Sequence, residues 1–512
     1  MNLLDVHPAL LISSALILTL SILCSLIKLI KSSSNTNTPP GPRGFPIVGY
    51  LPFLRRDLHH LLTELSHQYG PIFKLRLGDK LWIVINSPSL LKEVRRDHDI
   101  IFANRDITVA ARIITYGLND IAWSPYGSQW RSLRKIFVRE MLSNNNLKAT
   151  YNLRKDEVRK VVREIYSKIG TPIDICELTM QIDLCLIINL IWGGKIEAKR
   201  RDKILAGILP VVAEILDLLI EPNISDFFPV LARFDIQGVA KEATTLLQRV
   251  DEIIEDTIHE WMKNPHDKPL TNDGRTDFMQ ILVDLMQEED NKASLGKIQI
   301  KALIVDILVA GTDTSATAIE WAMTELLNHP EMMEKVQQEL NEVVGLNNIV
   351  EEFHIPKLDY LDAVLKETLR MHPVLPLSPR NPSQSCTVGG YTIPKGSTVL
   401  VNIWSVQMDP LAWDNPSEFR PERFLGNNGK WDFSGNDLNY IPFGSGRRAC
   451  AGIPLAERMV RYILASFLHS YEWRLPDEEK LDMSDKLLTT LRKRIPLIVV
   501  PAPRLSRSDL YE

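Results

Sequence analysis

Among the five cysteines of this chain, one sits where a thiolate could do chemistry. Cys450 ends the run Pro442-Phe443-Gly444-Ser445-Gly446-Arg447-Arg448-Ala449, and Ala451-Gly452 follows it. Two glycines allow a tight turn. Pro454 then suits the first turn of a helix whose apolar face would be Leu455, Met459, Ile463 and Phe467. A thiolate at a helix N-terminus has its charge stabilised and its pKa lowered. Backbone N–H groups of such a loop can also donate to the sulfur and tune a metal that it ligates. Two other readings compete. Gly444-x-Gly446-x-x-Ala449 formally fits a dinucleotide fingerprint, but Pro442 stands where a strand should be and little chain remains for a βαβ unit. A buried structural cysteine in a glycine turn is the second. The remaining cysteines, Cys24, Cys176, Cys185 and Cys386, are scattered without a Cys-x-x-Cys pair, which predicts neither a disulfide framework nor a zinc site.

A second candidate lies in a long helical pattern from Ile298 to Leu327. Its first half, Ala302 to Ala310, is apolar apart from Asp306. The second half is too polar to span a membrane, so this is expected to be a core helix. In its middle stand Gly311, Thr312, Asp313, Thr314 and Ser315. Glycine and a hydroxyl run are poor choices for a buried helix interior, and a broken local rule points to a functional site. Glu367 and Arg370 share a helical face; taken alone they read as an exposed i,i+3 ion pair. Other metal patterns are weak: His59-His60 reads as a surface pair, and His259-Glu260 lacks the second histidine of a zincin helix.

The elements that must position these residues are mostly α with a small β portion. Strand-like runs occur at Ile72 to Leu77, Leu81 to Ile85, Tyr391 to Val401 and Leu497 to Val500. Helical spacing of three and four fills most of the rest. No second linker interrupts residues 45–512, which predicts one large domain. Ahead of it, residues 31–44 form a polar, then proline-rich hinge (Pro39-Pro40-Gly41-Pro42-Arg43-Gly44), stiff because proline fixes φ. Residues 1–30 read as a membrane anchor. Ala9 to Ile27 carries no charge and, as a helix, would rise about 28 Å, close to the thickness of a bilayer core. Lys28 and Lys31 after the run place everything that follows in the cytosol. There the Asn223-Ile224-Ser225 sequon would stay unmodified. A net charge of −5 argues against a general nucleic-acid binder.

Phe443-x-x-Gly446-x-Arg448-x-Cys450-x-Gly452 resembles the ligand signature of the cytochrome P-450 family. Four further marks appear in family order: Trp130-Arg131-x-x-Arg134, Ala310-Gly311-x-Asp313-Thr314-Ser315, Glu367-x-x-Arg370 and Pro421-Glu422-Arg423-Phe424. The resemblance covers essentially the whole chain and implies the P-450 fold behind an N-terminal transmembrane helix in the endoplasmic reticulum membrane. It implies haem b, with Cys450 as the axial thiolate that favours O–O cleavage. Arg448, Trp130, Arg134 and Arg380 would hold the propionates, and Phe443, Gly446 and Gly452 would shape the ligand loop. Glu367, Arg370 and Arg423 would form a buried structural network. Gly311 and Thr312 would open the helix into a groove, where Thr314 and Asp313 deliver protons. Electrons would come from NADPH through a separate reductase, with cytochrome b5 as a second donor, docked over Cys450 near Arg131, Arg134 and Arg447. The substrates would be O2 and a small apolar molecule. Phe228 to Gly238, Trp192-Gly-Gly-Lys195 and Arg139 to Ser143 resemble a plant microsomal group that includes sesquiterpene hydroxylases of the delta-cadinene type. Flavonoid hydroxylation is the alternative within that group, and a haem-thiolate isomerase or dehydratase or a non-catalytic haem protein lies outside it. By analogy the pocket walls are Ile107 to Ile121, Leu209 to Phe227, Val305 to Ala310, Val374 to Ser378 and Leu487 to Thr490, which are largely aliphatic and suit an apolar guest.

Overall fold

The computed structural model describes residues 37–194, 198–263, 277–287, 295–426, 431–476 and 480–512. The expected anchor over 1–30, and residues 31–36 of the hinge, lie outside the described residues.

Helices dominate, with four small sheets around them. Six helices bear on the site: α1 Leu58–Tyr69, α2 Ser128–Ile136, α3 Ile175–Trp192, α4 Lys297–Asn328, α5 Asp359–Met371 and α6 Ile453–Ser470. The main sheet contains β1 Ile72–Leu77, β2 Lys80–Ile85, β3 Leu377–Arg380 and β4 Thr398–Asn402, in the order β1-β2-β4-β3. β1 and β2 form an antiparallel hairpin in which Leu77 pairs with Lys80, and Gly78 takes the positive φ of +59° that the two-residue turn requires. β2 runs parallel to β4, and β4 antiparallel to β3. A separate hairpin near the C-terminus pairs β5 Asp485–Leu487 with β6 Leu491–Lys493. The run read as one strand over Tyr391 to Val401 is two, Tyr391–Ile393 and β4, because Pro394 to Gly396 turns the chain between them.

The described part of the hinge is docked on the globule. Lys74 N donates to Pro40 O (2.7 Å) and Thr392 N to Asn37 O (2.7 Å), so the segment lies along the free edge of β1. A side chain at Gly41 would fall on the Lys74 carbonyl, which explains the glycine between prolines.

α4 spans 32 residues, about 48 Å, and joins two apolar cores. Ile300 to Leu308 belong to one, with α3 and the helices Ala198–Ile220 and Val239–Lys263; Ala318 to Leu326 belong to the other, with α5 and α6. The hydroxyl-rich stretch lies between them. α3 and α4 are both long and apolar enough to cross a membrane, yet both are largely buried inside the protein, as expected for core helices. α4 continues as a helix through Gly311 and Thr312. A Cβ at Gly311 would lie 2.5 Å from Ile187 Cδ1, so the glycine serves the close approach of α3. The sequon asparagine is also accounted for, since Asn223 is buried and accepts from Ser225 N (3.0 Å).

Candidate active site

The loop before α6 folds back on itself to present Cys450. Cys450 N donates to Phe443 O (2.9 Å), and Gly444 N to Ile441 O (2.8 Å). Gly444 and Gly446 adopt φ of +72° and +67°, and a Cβ at Gly446 would fall on the Asp99 carboxylate. Phe443 packs edge-on to Phe433, with ring centroids 5.1 Å apart. Gly452 N donates to Cys450 Sγ at 3.3 Å. Burial pushes the thiol up from its ordinary value, while the N–H groups of Gly452 and Ile453 and the guanidinium groups of Arg134 and Arg105 pull it back. On α4, Ala310 is exposed in a stretch otherwise largely buried.

Four arginines gather near the thiol. Arg134 on α2 donates to Ala449 O (2.7 Å). Arg448 binds the carbonyls of Ala103, Ile121 (3.0 Å) and Ser124, with its guanidinium over the Trp130 ring. The Trp130 indole N–H is already committed to Ile121 O (2.9 Å). Arg105, which no local pattern singles out, donates to Ser378 Oγ (3.3 Å) from the loop before residue 109. Arg380, at the end of β3, is buried, and its Nη1 has no partner among the described residues. Burial, and then the like charges of Arg105 and Arg448, hold Arg380 far below its ordinary value. Guanidinium does not give up its proton in proteins, so this direction reports a buried positive charge short of anions. A dianionic flat group between the cysteine loop and α4 supplies what is missing. Haem fits: Cys450 would hold its iron, and Arg105, Arg380 and Arg134 would meet its carboxylates. When bound, it supplies the oxygen-activating chemistry.

Asp313 and Thr314 are placed side by side but are engaged elsewhere. Asp313 is buried, ion-paired with Arg492, and accepts from Thr490 Oγ1 (2.6 Å); both partners stand at or beside β6. Thr314 Oγ1 donates to Ala310 O (2.8 Å). Asp183 on α3 has both oxygens unpartnered among the described residues, and burial, then the charge of Asp313, push its carboxyl well above the ordinary range.

Asp306, seen in sequence only as a break in an apolar run, fastens the loop over the site. It accepts from Ile121 N (2.6 Å) and Ala122 N (3.2 Å). Asp120, also buried, accepts from Trp123 N and Ser124 N (both 2.8 Å). Burial raises both acids, and the charge of Asp120 raises Asp306 further. Asp306→Asn keeps an acceptor for both amides and removes the like charge; we expect it to fold at least as stably as the parent. Asp306→Ala strands two backbone donors and should cost about 2–4 kcal/mol in urea unfolding. Equal stability of the two variants would refute this.

Seven positions along from Asp313, Glu320 accepts from Leu497 N (2.9 Å). Burial pushes its carboxyl up from 4.5 to about 7. A raised acid favours the fold below pH 4.5, and this contribution is lost as pH rises through 7. Glu320→Gln keeps the acceptor but does not titrate. Its stability relative to the parent should therefore rise by about 3 kcal/mol between pH 4.5 and pH 8. A gap that does not change with pH, followed by thermal melting, would disprove it.

Glu367 and Arg370 are fully buried on α5 and bind bidentately (2.7 and 2.8 Å), and Arg423 Nε reaches Glu367 Oε1 at 3.2 Å. Arg131 is exposed, and Arg447 pairs with Asp99 at 3.1 Å while remaining 42% exposed. Arg134 points inward and is withdrawn from the docking face expected for it.

Comparison with known proteins agrees with this arrangement. A sequence profile described as Cytochrome P450 matches residues 39–499. A flavonoid 3'-monooxygenase of Crocosmia x crocosmiiflora is 38% identical over 480 residues, covering 91% of this chain and 93% of the relative. A flavonoid 3',5'-hydroxylase of Campanula medium is 34% identical, covering 94% of each. Tabersonine 16-hydroxylase 1 of Catharanthus roseus is 36% identical, covering 92% of each. A zebra fish cytochrome P450 structure with progesterone superposes with a TM-score of 0.74 at 26% identity, over 87% of this chain and 99% of that one. These relatives favour the flavonoid alternative and give no support to terpenoid metabolism. With a thiolate loop, an anion-seeking arginine cluster and a profile match over nine-tenths of its length, this chain belongs to the cytochrome P450 family of haem-thiolate monooxygenases.

Proposed function

We propose that the enzyme hydroxylates a planar phenolic ring of the flavonoid class, drawing electrons from a separate NADPH-dependent reductase at a membrane. The observation that carries this reading is the activity of the relatives above, two of which are flavonoid hydroxylases matching more than nine-tenths of the chain. Arg131, Lys135, Arg139 and Arg447 offer exposed positive charge for an acidic reductase.

The chain's own residues bind, orient and handle protons. Asp120 and Asp306 hold the loop Ile121 to Ser124 against α4 and keep the site closed to water. Asp313 and Thr314 form the proton-handling pair. Arg492 and Thr490 hold the Asp313 carboxylate; once it has taken up a proton from solvent, a swing away from Thr490 Oγ1 would let it pass that proton to Thr314 Oγ1, which in turn gives its own toward the space beside Ala310.

A cyclic sesquiterpene hydrocarbon is the second reading, favoured by one feature. Polar groups of the pocket segments are largely satisfied within the protein: Tyr116 OH donates to Asp251 (2.6 Å), Thr115 Oγ1 to Ala111 O (2.7 Å) and Thr489 Oγ1 to Leu216 O (2.5 Å). Such walls offer few anchors to a phenol. Spectral titration with a flavanone, a flavone and a sesquiterpene hydrocarbon, followed by product analysis, separates the two. Binding and turnover of the hydrocarbon alone would overturn the phenolic reading.

A further inference from the structure

His59 and His60 are adjacent at the start of α1, where successive side chains normally diverge by about 100°. Here they converge. Their rings lie 4.0 Å apart, and both Nε2 atoms face one oxygen of Asp485 on β5. His59 is completely buried, which overturns the reading of this pair as a surface feature, while His60 is about one-third exposed. Trp404 closes the pair with edge contacts to both rings.

The spacing is long for hydrogen bonding and right for a metal. N–H···O bonds in proteins close to about 2.9–3.0 Å. Asp485 Oδ2 stands 3.4 Å from His59 Nε2 and 3.3 Å from His60 Nε2. In a tetrahedral zinc site with bonds of about 2.0–2.1 Å, neighbouring ligand atoms stand about 3.3–3.4 Å apart. The three donor atoms all lie within 4.8 Å of one another. His59 Nδ1 has no partner among the described residues, so no neighbour forces the proton onto Nε2. A fully buried imidazole whose Nε2 makes only a long contact needs an explanation, and an ion is one.

We propose that His59, His60 and Asp485 bind a zinc-class divalent cation that staples α1 to the β5–β6 hairpin. Two imidazoles and one carboxylate are a donor set that zinc takes, and the exposed side of His60 leaves the fourth position for water. The hairpin so fixed carries Thr490 and Arg492, the two groups that hold Asp313. The cation would thus set the position of a strand that reaches the active site while taking no part in the chemistry there. Nothing in this inference depends on the substrate.

The test uses tag-free, full-length holoenzyme in detergent, treated with a chelator, incubated with zinc chloride and passed through gel filtration. Zinc and haem iron are then counted together by mass spectrometry. We expect about one zinc per iron, and a thermal midpoint that rises with added zinc. His60→Ala and Asp485→Asn should each lower retained zinc by about tenfold or more and abolish the zinc-dependent rise in midpoint. The reduced carbon-monoxide spectrum reports whether each variant has folded. Should Asp485→Asn lack that spectrum, His60→Ala carries the comparison, since its side chain is partly outside the core. Wild-type protein that retains no zinc, or variants that retain as much as wild type, would overturn the proposal.

Discussion

Cys450→Ser protein should fold but lose the thiolate-type band of its reduced carbon-monoxide adduct, and its turnover should fall by at least about 10³-fold, or about 4 kcal/mol. The geometry explains why serine fails despite its similar shape. The sulfur sits where burial disfavours charge, and two N–H groups and two guanidiniums lead the opposition to that burial. A thiol in that balance gives up its proton when a metal binds it. A hydroxyl starts several pKa units higher, and the same donors cannot close the gap. The loop itself should survive, because its turns rest on backbone bonds and on Gly444 and Gly446, none of which involve the sulfur. The discriminating control is therefore Gly446→Ala. There the new Cβ meets Asp99 at a positive φ, so the loop and the haem content should be lost together. A Cys450→Ser protein that retained the thiolate-type spectrum would break the assignment of the ligand.

What the sequence discloses and what it hides divide along one physical line. Cys450, with its two glycines, and the Glu367–Arg370 pair are legible because all their essential parts lie within a few residues. The α4 core helix, β1 and β2 are legible because burial imposes a period on neighbouring positions. Groups whose meaning depends on a distant partner are not. Asp313 reads as half of a proton-handling pair, but its partners Thr490 and Arg492 lie 177 and 179 positions away. His59 reads as surface because nothing nearby announces Asp485, 426 positions on. Arg105 and Asp120 carry no signal, since a lone charge in a loop is ordinarily solvated. Even a correct motif can mislead about cause. Gly311 stands where the family pattern puts it, yet in this fold it makes room for Ile187 and leaves the helix intact.

Glu367 should prove the costliest residue to remove from the network behind the cysteine loop, ahead of either arginine. The cluster holds one buried carboxylate between two guanidiniums, with Glu367 and Arg370 both at 0% exposure and Arg423 at 5%. Removing Glu367 strands two like charges and frees Arg420 N, which donates to Glu367 Oε1 at 2.9 Å. Removing Arg370 leaves Glu367 still paired with Arg423, and removing Arg423 leaves the bidentate pair intact. Stranding a buried charge costs about 3–5 kcal/mol, so Glu367→Leu should reach or exceed the top of that range. Arg370→Met should fall within it, and Arg423→Met below it. The damage also has a route to the haem ligand. Arg370 donates to Gln407 O (3.2 Å), while Gln407 donates to the carbonyls of Leu369 and Arg370 and accepts from Ile441 N (2.8 Å). Ile441 O in turn accepts from Gly444 N at the first turn of the cysteine loop. Arg370→Lys tests geometry apart from charge: an ammonium keeps the pairing with Glu367 but cannot fork toward Gln407. We expect it to retain more than half of the stability lost in Arg370→Met and yet to release haem faster than wild type. Urea midpoints in that order, with haem loss tracking the Gln407 contact, support the network. Equal midpoints for Glu367→Leu and Arg423→Met would show that the carboxylate is not its centre.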